Sequence, residues 1–331
     1  MRSFTHISAH SVHEVCSILA ARKGRARINA GGTDLLSALK KEILREYPEV
    51  LINVKTIPGL DYAEERGNLL KIGALARLAD LATSPLIIDR FSVIAEAAHS
   101  VATPQTRNVA TVGGNLCQDV RCWYYRYPRI IGGPVMCARK GKGPCHAIQG
   151  DNRYHALFGG KKCFAVCPSD MATALAALNG ELSAVNASGN IRKIPITEFF
   201  HPLGNDLAHD EMVTEIEIPA LEQTTTQKFL KFSLRNPIDF AVVSVAVVLS
   251  VKKKKCADVR IALGALSPGP LRAEEAEGAL IGEPLTEQMA AKAADIALSR
   301  VKPLSMNAYK IDIARTLIKD AILACSREAC R

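Results

Sequence analysis

Apolar positions recur at helical spacing over residues 12–22, and the pattern predicts an amphipathic helix there. Residues 25–30 read as a short strand, after which the Gly31-Gly32 turn leads into a helix over 34–45. Short apolar runs at 50–54 and 69–72 predict strands, and 91–101 predicts a helix. Residues 170–178 read as a helix. Residues 181–187 and 190–194 read as a hairpin around Ser188-Gly189, and 212–218 as a strand. Residues 219–227, with Thr224-Thr225-Thr226, read as a linker. Beyond it, 227–234, 241–251 and 259–266 predict antiparallel strands, followed by helices over 272–280, 287–300 and 311–326. A sheet with helices segregated to its end is an α+β layout. The four-lysine run at 252–255 falls between two strands and reads as a solvated hairpin tip. No internal repeat is visible.

A length of 331 residues fits two or three domains. With 48% hydrophobic and 23% charged residues, the chain is neither disordered nor fibrous. Its longest apolar stretch, 240–249, is half of what a bilayer crossing needs. The opening residues lack the apolar centre of a secretory signal, so a soluble cytoplasmic protein without a membrane partner is expected. A single Trp and 5% aromatics argue against stacking of bases or sugars along a groove.

The net charge of +9 is concentrated. Arg121, Arg126, Arg129, Arg139, Lys140, Lys142, Arg153, Lys161 and Lys162 face one acid, Asp151, in an eighth of the chain. Such a field either recruits an acidic partner or offsets an anion held nearby.

The same stretch holds six of the ten cysteines: Cys117, Cys122, Cys137, Cys145, Cys163 and Cys167. Cys16, Cys256, Cys325 and Cys330 are scattered and read as structural or surface thiols. In an intracellular chain such clustering favours metal over disulfides. Structural zinc prefers closely paired ligands, whereas 14, 7 and 17 residues separate Cys122, Cys137, Cys145 and Cys163. Gly132-Gly133-Pro134, Gly143-Pro144 and Gly159-Gly160 between them suit a loop wrapped around a larger body. A [4Fe–4S] cluster with four thiolates is anionic, and the surrounding Arg and Lys can stabilise it. Zinc and unligated thiols stay open as alternatives, and His146 and His155, which could ligate metal, read rather as surface or hydrogen-bonding residues.

No GxGxxG follows a strand and no GxxxxGK[ST] occurs, which removes the common dinucleotide and P-loop motifs. Two glycine turns remain. Ala30-Gly31-Gly32-Thr33-Asp34 joins a strand to a helix, where amides can bind an anion, and Thr111-Val112-Gly113-Gly114-Asn115 offers a second pair. Together they can clamp a pyrophosphate from both sides. No nucleophile–base–orienter set is visible, and no catalytic residue is assigned.

Ala30-Gly31-Gly32-Thr33-Asp34-Leu35-Leu36, Ala110-Thr111-Val112-Gly113-Gly114-Asn115, Pro168-Ser169-Asp170, then Lys231, Arg235 and Asp239-Phe240-Ala241 occur in this order. As an ordered set they resemble the FAD-binding medium subunit of the xanthine dehydrogenase family of molybdenum hydroxylases. The likeness extends through Ala262-Leu263-Gly264-Ala265 and Leu271-Arg272-Ala273. It implies a two-part FAD-binding domain of the PCMH/vanillyl-alcohol-oxidase-like type over residues 1–220. A C-terminal domain of the CO dehydrogenase flavoprotein type would follow over 227–331. It further implies that Ile28, Asn29, Ala30, Gly31, Gly32, Thr33, Asp34 and Leu35 hold the FAD pyrophosphate with Thr111, Val112, Gly113, Gly114 and Asn115. By the same likeness Asp170 and Lys231 approach the cofactor, while Val213 and Val101 lie near the flavin.

Ordinary members pass almost directly from Gly-Gly-Asn to Pro-Ser-Asp, whereas this chain has a cysteine-rich insertion at 117–167. The insertion resembles the flavin subunits of 4-hydroxybenzoyl-CoA reductase and of certain bacterial aldehyde oxidoreductases, which carry an extra [4Fe–4S] cluster. The implied ligands are Cys122, Cys137, Cys145 and Cys163, with Cys167 competing for the fourth place. The expected function is an electron-transfer subunit of an oxidoreductase, best matched to 4-hydroxybenzoyl-CoA reductase. It would work with a molybdenum-cofactor large subunit and a [2Fe–2S] small subunit in a heterotrimer. A ferredoxin-like carrier would dock on Arg139, Lys140 and Lys142. The alternatives are a xanthine, aldehyde or carbon monoxide dehydrogenase-type hydroxylase, with electrons flowing outward, and a zinc or nucleic-acid-binding module. No nucleic-acid partner is expected.

Overall fold

The computed structural model describes residues 1–236 and 238–329 of the chain, so Cys330 lies outside the described residues. Three sheets and a two-stranded ribbon organise it. In the first sheet, strands Thr5–Ser8 and Ala26–Asn29 flank strand Val50–Asn53, both parallel to it. Parallel neighbours need a crossover, and helix Val12–Arg22 lies in the connection from the first strand. Ser11 caps that helix by accepting the Glu14 N–H at 3.1 Å, and Lys23 closes it in a left-handed turn. Val15, Cys16 and Leu19 form its buried stripe and pack with Val50 and Ile52. The pattern did not predict strand Thr5–Ser8, because polar residues surround Ile7 and pairing with a distant strand defines it. The helix expected over 34–45 is shorter, Leu35–Lys40, and Glu42 at φ 50° follows it.

The second sheet is antiparallel, in the order Ala63–Arg66, Leu69–Gly73, Met212–Pro219, Glu181–Val185 and Ile191–Pro195. Its central strand arrives last in sequence, so this sheet forms only when residues far apart in the chain meet. The third sheet runs Thr225–Phe232, Val243–Lys252, Lys255–Gly264 and Leu271–Arg272. Strand Thr225–Phe232 begins inside the stretch read as a linker. There β-branched Thr225 and Thr226 pair with Ser250 and Leu249. Lys253 and Lys254 take φ 52° and 63° at the tip of the next hairpin, as the lysine run predicts.

Strand Val243–Lys252 is buried on both faces. Val243, Val245, Val247 and Leu249 pack with helices Glu287–Ala297 and Lys310–Ala329, while Ala246 and Val248 face helices Ser92–His99 and Asp170–Ala177. Two-sided burial explains its nearly unbroken apolar run. The architecture is mixed helix and sheet, consistent with α+β. Among the described residues no helix is long and apolar enough to cross a membrane.

Gly278 sits exposed in helix Glu274–Leu280, and a Cβ there would meet nothing within 4 Å. Gly278→Ala is expected to stabilise the protein by about 0.5–1 kcal/mol, since glycine loses the most backbone freedom in a helix. Urea unfolding checks it; a lower midpoint would contradict the open space.

Candidate functional site

Strand Ala26–Asn29 delivers Ile28 and Asn29 to the loop that precedes helix Leu35–Lys40. The backbone N–H groups of Gly31, Gly32, Thr33 and Asp34 have no acceptor among the described residues. Gly32 adopts φ 70°, which a side chain would strain. A run of unengaged amides in such a turn is a cradle for an anion. Asn29 Oδ1 beside it is buried without a partner among the described residues. A Cβ on Gly31 would fall 2.2 Å from Val109 O and 2.9 Å from Ala110 Cα. The first loop therefore lies backbone to backbone against the residues that enter the second.

In the second loop the amides are already engaged. Thr111 Oγ1 accepts the Gly114 N–H at 3.1 Å, capping helix Val112–Leu116. The Val112 and Gly113 N–H groups donate to Ala76 O and Ala74 O, each at 2.9 Å, and Asn115 N–H donates to Thr111 O at 2.8 Å. Four amides of the second loop, those of Val112, Gly113, Gly114 and Asn115, are thus engaged within the chain. The first loop presents free donors, and the second forms the wall against which it rests.

From that wall a line of contacts runs to the other expected residues. Ser169 Oγ donates to Asn115 Oδ1 at 2.6 Å and accepts the Ala172 N–H at 3.0 Å, which starts helix Asp170–Ala177. Lys231 Nζ meets Asp170 Oδ2 at 2.7 Å and donates to Ser100 O at 2.9 Å. Burial pushes the Asp170 carboxyl up, and the adjacent ammonium opposes this. Val101, next in the chain after Ser100, is half-buried, and Arg107 Nη1 donates to its carbonyl at 2.9 Å. Val213 is buried in the same core as Ala110 and Val112, at a break in strand register.

Cys122, Cys137, Cys145 and Cys163 all line one small cavity, with Tyr125, Arg139 and His146 in its wall. Cys167 packs in the main core with its N–H on Ser267 O, and Cys117 is exposed, so neither joins them. The two neighbouring thiols Cys145 and Cys163 shift in opposite directions, Cys145 down and Cys163 up, because a proton on one favours the thiolate of the other. Burial raises Cys122 to about 11. Burial and Lys310 hold His155 down at about 4, so its ring is neutral, and its Nε2 shares a hydrogen bond with Cys122 Sγ at 3.3 Å. His146 Nε2 donates to Met136 O at 2.8 Å. Both histidines are hydrogen-bonding residues. Among the described residues no three His, Cys, Asp or Glu side chains converge closely enough to hold one metal ion.

Loop and cavity are joined. Arg121 Nη1 and Arg126 Nη2 reach Asp34 Oδ1 at 2.8 and 2.6 Å, and the Asp119 N–H donates to Asp34 Oδ2 at 2.8 Å. The Arg126 N–H in turn donates to Cys122 O at 2.9 Å. Sequence reasoning counted these arginines as net charge and missed the brace, because nothing local reveals a contact across so much chain. The proposed docking trio also changes. Arg139 is paired with Asp119 at 2.8 Å and Lys140 is 3% exposed, which leaves only Lys142 at the surface. Those two residues serve the interior and cannot receive a carrier.

The family model for the FAD binding domain in molybdopterin dehydrogenase matches residues 2–221, and that for the CO dehydrogenase flavoprotein C-terminal domain matches 228–325. The aldehyde oxidoreductase FAD-binding subunit PaoB of Escherichia coli strain K12 is 31% identical, over 99% of this chain and 100% of its own. The carbon monoxide dehydrogenase medium chain of Hydrogenophaga pseudoflava is 29% identical, over 97% of this chain and 96% of its own. A solved structure of carbon monoxide dehydrogenase from Hydrogenophaga pseudoflava aligns with a TM-score of 0.79 at 26% identity, covering 100% of this chain and 99% of that one. These names favour the hydroxylase alternative over the 4-hydroxybenzoyl-CoA reductase expectation, which finds no support among them. Nor do they support a zinc or nucleic-acid-binding module.

Proposed function

The chain belongs to the FAD-binding medium subunits of the molybdenum hydroxylase family, and from that premise we propose that it is the electron-transfer subunit of an aldehyde-oxidising complex, holding a [4Fe–4S] cluster beside its FAD. It is an oxidoreductase subunit. The aldehyde class rests on the 31% identity to an aldehyde oxidoreductase subunit across the whole chain. Its partners are a molybdenum-cofactor large subunit and a [2Fe–2S] small subunit, assembled in the cytoplasm, and a ferredoxin-like carrier takes up the electrons.

Bound FAD supplies a centre that exchanges one or two electrons, and an iron–sulfur cluster supplies one-electron steps. The chain's own residues do the placing. Gly31, Gly32, Thr33 and Asp34 offer free amides to the pyrophosphate, with Ile28, Asn29, Ala30 and Leu35 shaping the loop. Thr111, Val112, Gly113, Gly114 and Asn115 form the supporting wall. Asp170 and Lys231 hold the Ser100–Val101 turn on the flavin side, and Val213 backs it. Cys122, Cys137, Cys145 and Cys163 are the thiolates for the cluster.

The observation that carries this reading is the Asp34 brace, which ties the anion-binding loop to the four-cysteine cavity through Arg121 and Arg126. The test is an anaerobic absorbance spectrum with iron, sulfide and flavin quantitation on the purified complex. The expected contribution of this subunit is about four irons and one FAD. Cys145→Ser and Cys163→Ser should each lose most of that iron, while Cys167→Ser and Cys117→Ser keep it. A chain with FAD and no iron would remove the cluster from the reading and leave the FAD subunit standing.

A further inference from the structure

One charge near the thiol cavity has no partner. Lys140 is 3% exposed, and its Nζ is buried without a hydrogen-bond acceptor among the described residues. Its backbone is fixed: the N–H donates to Cys137 O at 2.9 Å, and Arg45 Nη1 reaches its carbonyl at 3.4 Å. The side chain crosses the Tyr125 ring, with Nζ 5.3 Å from the centroid. Asp119, the acid beside Tyr125, is already held by Arg139 at 2.8 Å and by the Val120 N–H at 2.9 Å, and the Tyr125 hydroxyl donates to it too. Asp34 is likewise taken by Arg121 and Arg126. A lysine normally snorkels its ammonium to water, and a buried cation without compensation costs several kcal/mol. Burial pushes the Lys140 ammonium below the usual lysine range, and negative charge on Cys137 and Cys122 is what opposes this most.

We propose that Lys140 is the internal counter-charge of the cysteine cavity, stabilising the extra electron of the iron–sulfur group held there and so raising its reduction potential. The inference rests on the [4Fe–4S] reading above. The mechanism is electrostatic: in a low-dielectric wall a fixed positive charge favours the more negative redox state. It also accounts for why the residue is a lysine. Contact with Tyr125 alone would be met by any long apolar side chain.

The experiment compares wild type, Lys140→Met, Lys140→Arg and the exposed control Lys142→Gln in the assembled complex. It uses redox titrations followed by electron paramagnetic resonance, together with iron quantitation and urea unfolding. Lys140→Met keeps the volume and removes the charge. At fixed potential its reduced-to-oxidised ratio should fall about tenfold, which for a one-electron couple is about 59 mV. Lys140→Arg and Lys142→Gln should stay close to wild type, and folding stability of Lys140→Met should be equal or higher. A Lys140→Met protein with wild-type iron and an unchanged midpoint overturns the proposal. Iron lost from Lys140→Met yet kept in Lys140→Arg supports it, because charge then holds the group. Iron lost from both overturns it in favour of packing. Absence of iron from the wild type overturns the cluster reading itself, and the iron assay separates that failure from the others.

Discussion

Lys231→Met is expected to cost about 3–5 kcal/mol of folding stability, the range seen when one partner of a buried ion pair is removed. The two side chains are 6% and 5% exposed and 2.7 Å apart, so the remaining Asp170 carboxylate cannot be reached by water. Ser100 Oγ, 3.5 Å from Asp170 Oδ2, is too distant to replace the ammonium. A proton can do so. Without Lys231 the folded-state pKa of Asp170 lies above its unfolded value. The deficit should therefore be full above the folded pKa and shrink as pH falls through it towards the unfolded value. Urea unfolding at neutral and acidic pH measures this; a deficit independent of pH would show that packing, not charge, was lost. Asp170→Leu combined with Lys231→Met should recover most of the stability, since apolar replacement of a buried pair is often neutral. If that double variant folds but retains no FAD, the pair serves the cofactor; if it retains FAD, the pair is structural.

Gly31→Ala should cost about 1–3 kcal/mol and lower the FAD content of the purified protein at least tenfold (roughly 1.4 kcal/mol of binding). All three nearest contacts of the added Cβ are backbone atoms, Val109 O at 2.2 Å with Ala110 Cα and Val109 C at 2.9 Å, so no side chain can swing away. The two loops must separate, and the free amides of residues 31–34 then lose their alignment. Gly204→Ala is the matched control, because its Cβ would meet nothing within 4 Å and its φ is ordinary. Its effect should stay within about 0.5 kcal/mol. Flavin absorbance per chain after gel filtration reads both. A flavin-replete Gly31→Ala protein would mean that the loops need not touch.

The anion-binding loop and the cysteine segment are braced to each other. Asp34 belongs to the loop with free amides, and its carboxylate is held by arginines from the cysteine segment. Disturbance on either side should therefore be felt on the other.

Much of this was legible from the amino-acid order. Helical and strand periodicity located most elements, because burial of one stripe or one face writes itself into neighbouring residues. The two glycine turns, the Pro-Ser-Asp motif and the six clustered cysteines are likewise local signals. What stayed hidden depends on which backbones meet. Strand Thr5–Ser8 exists through pairing with a strand 45 residues away. The second glycine loop looks as free as the first in sequence, yet Ala74 and Ala76 from another segment consume its amides. Cys163 and Cys167 are four positions apart and chemically identical. Only folding turns one into the cavity and the other into the core. Arg139 and Lys140 read as surface charge until the wall closes around them. The order of residues determined the elements and the kinds of chemistry available. Burial and long-range packing decided which donors remain free, because a side chain's solvent exposure and partners belong to the assembled core and not to its neighbours in sequence.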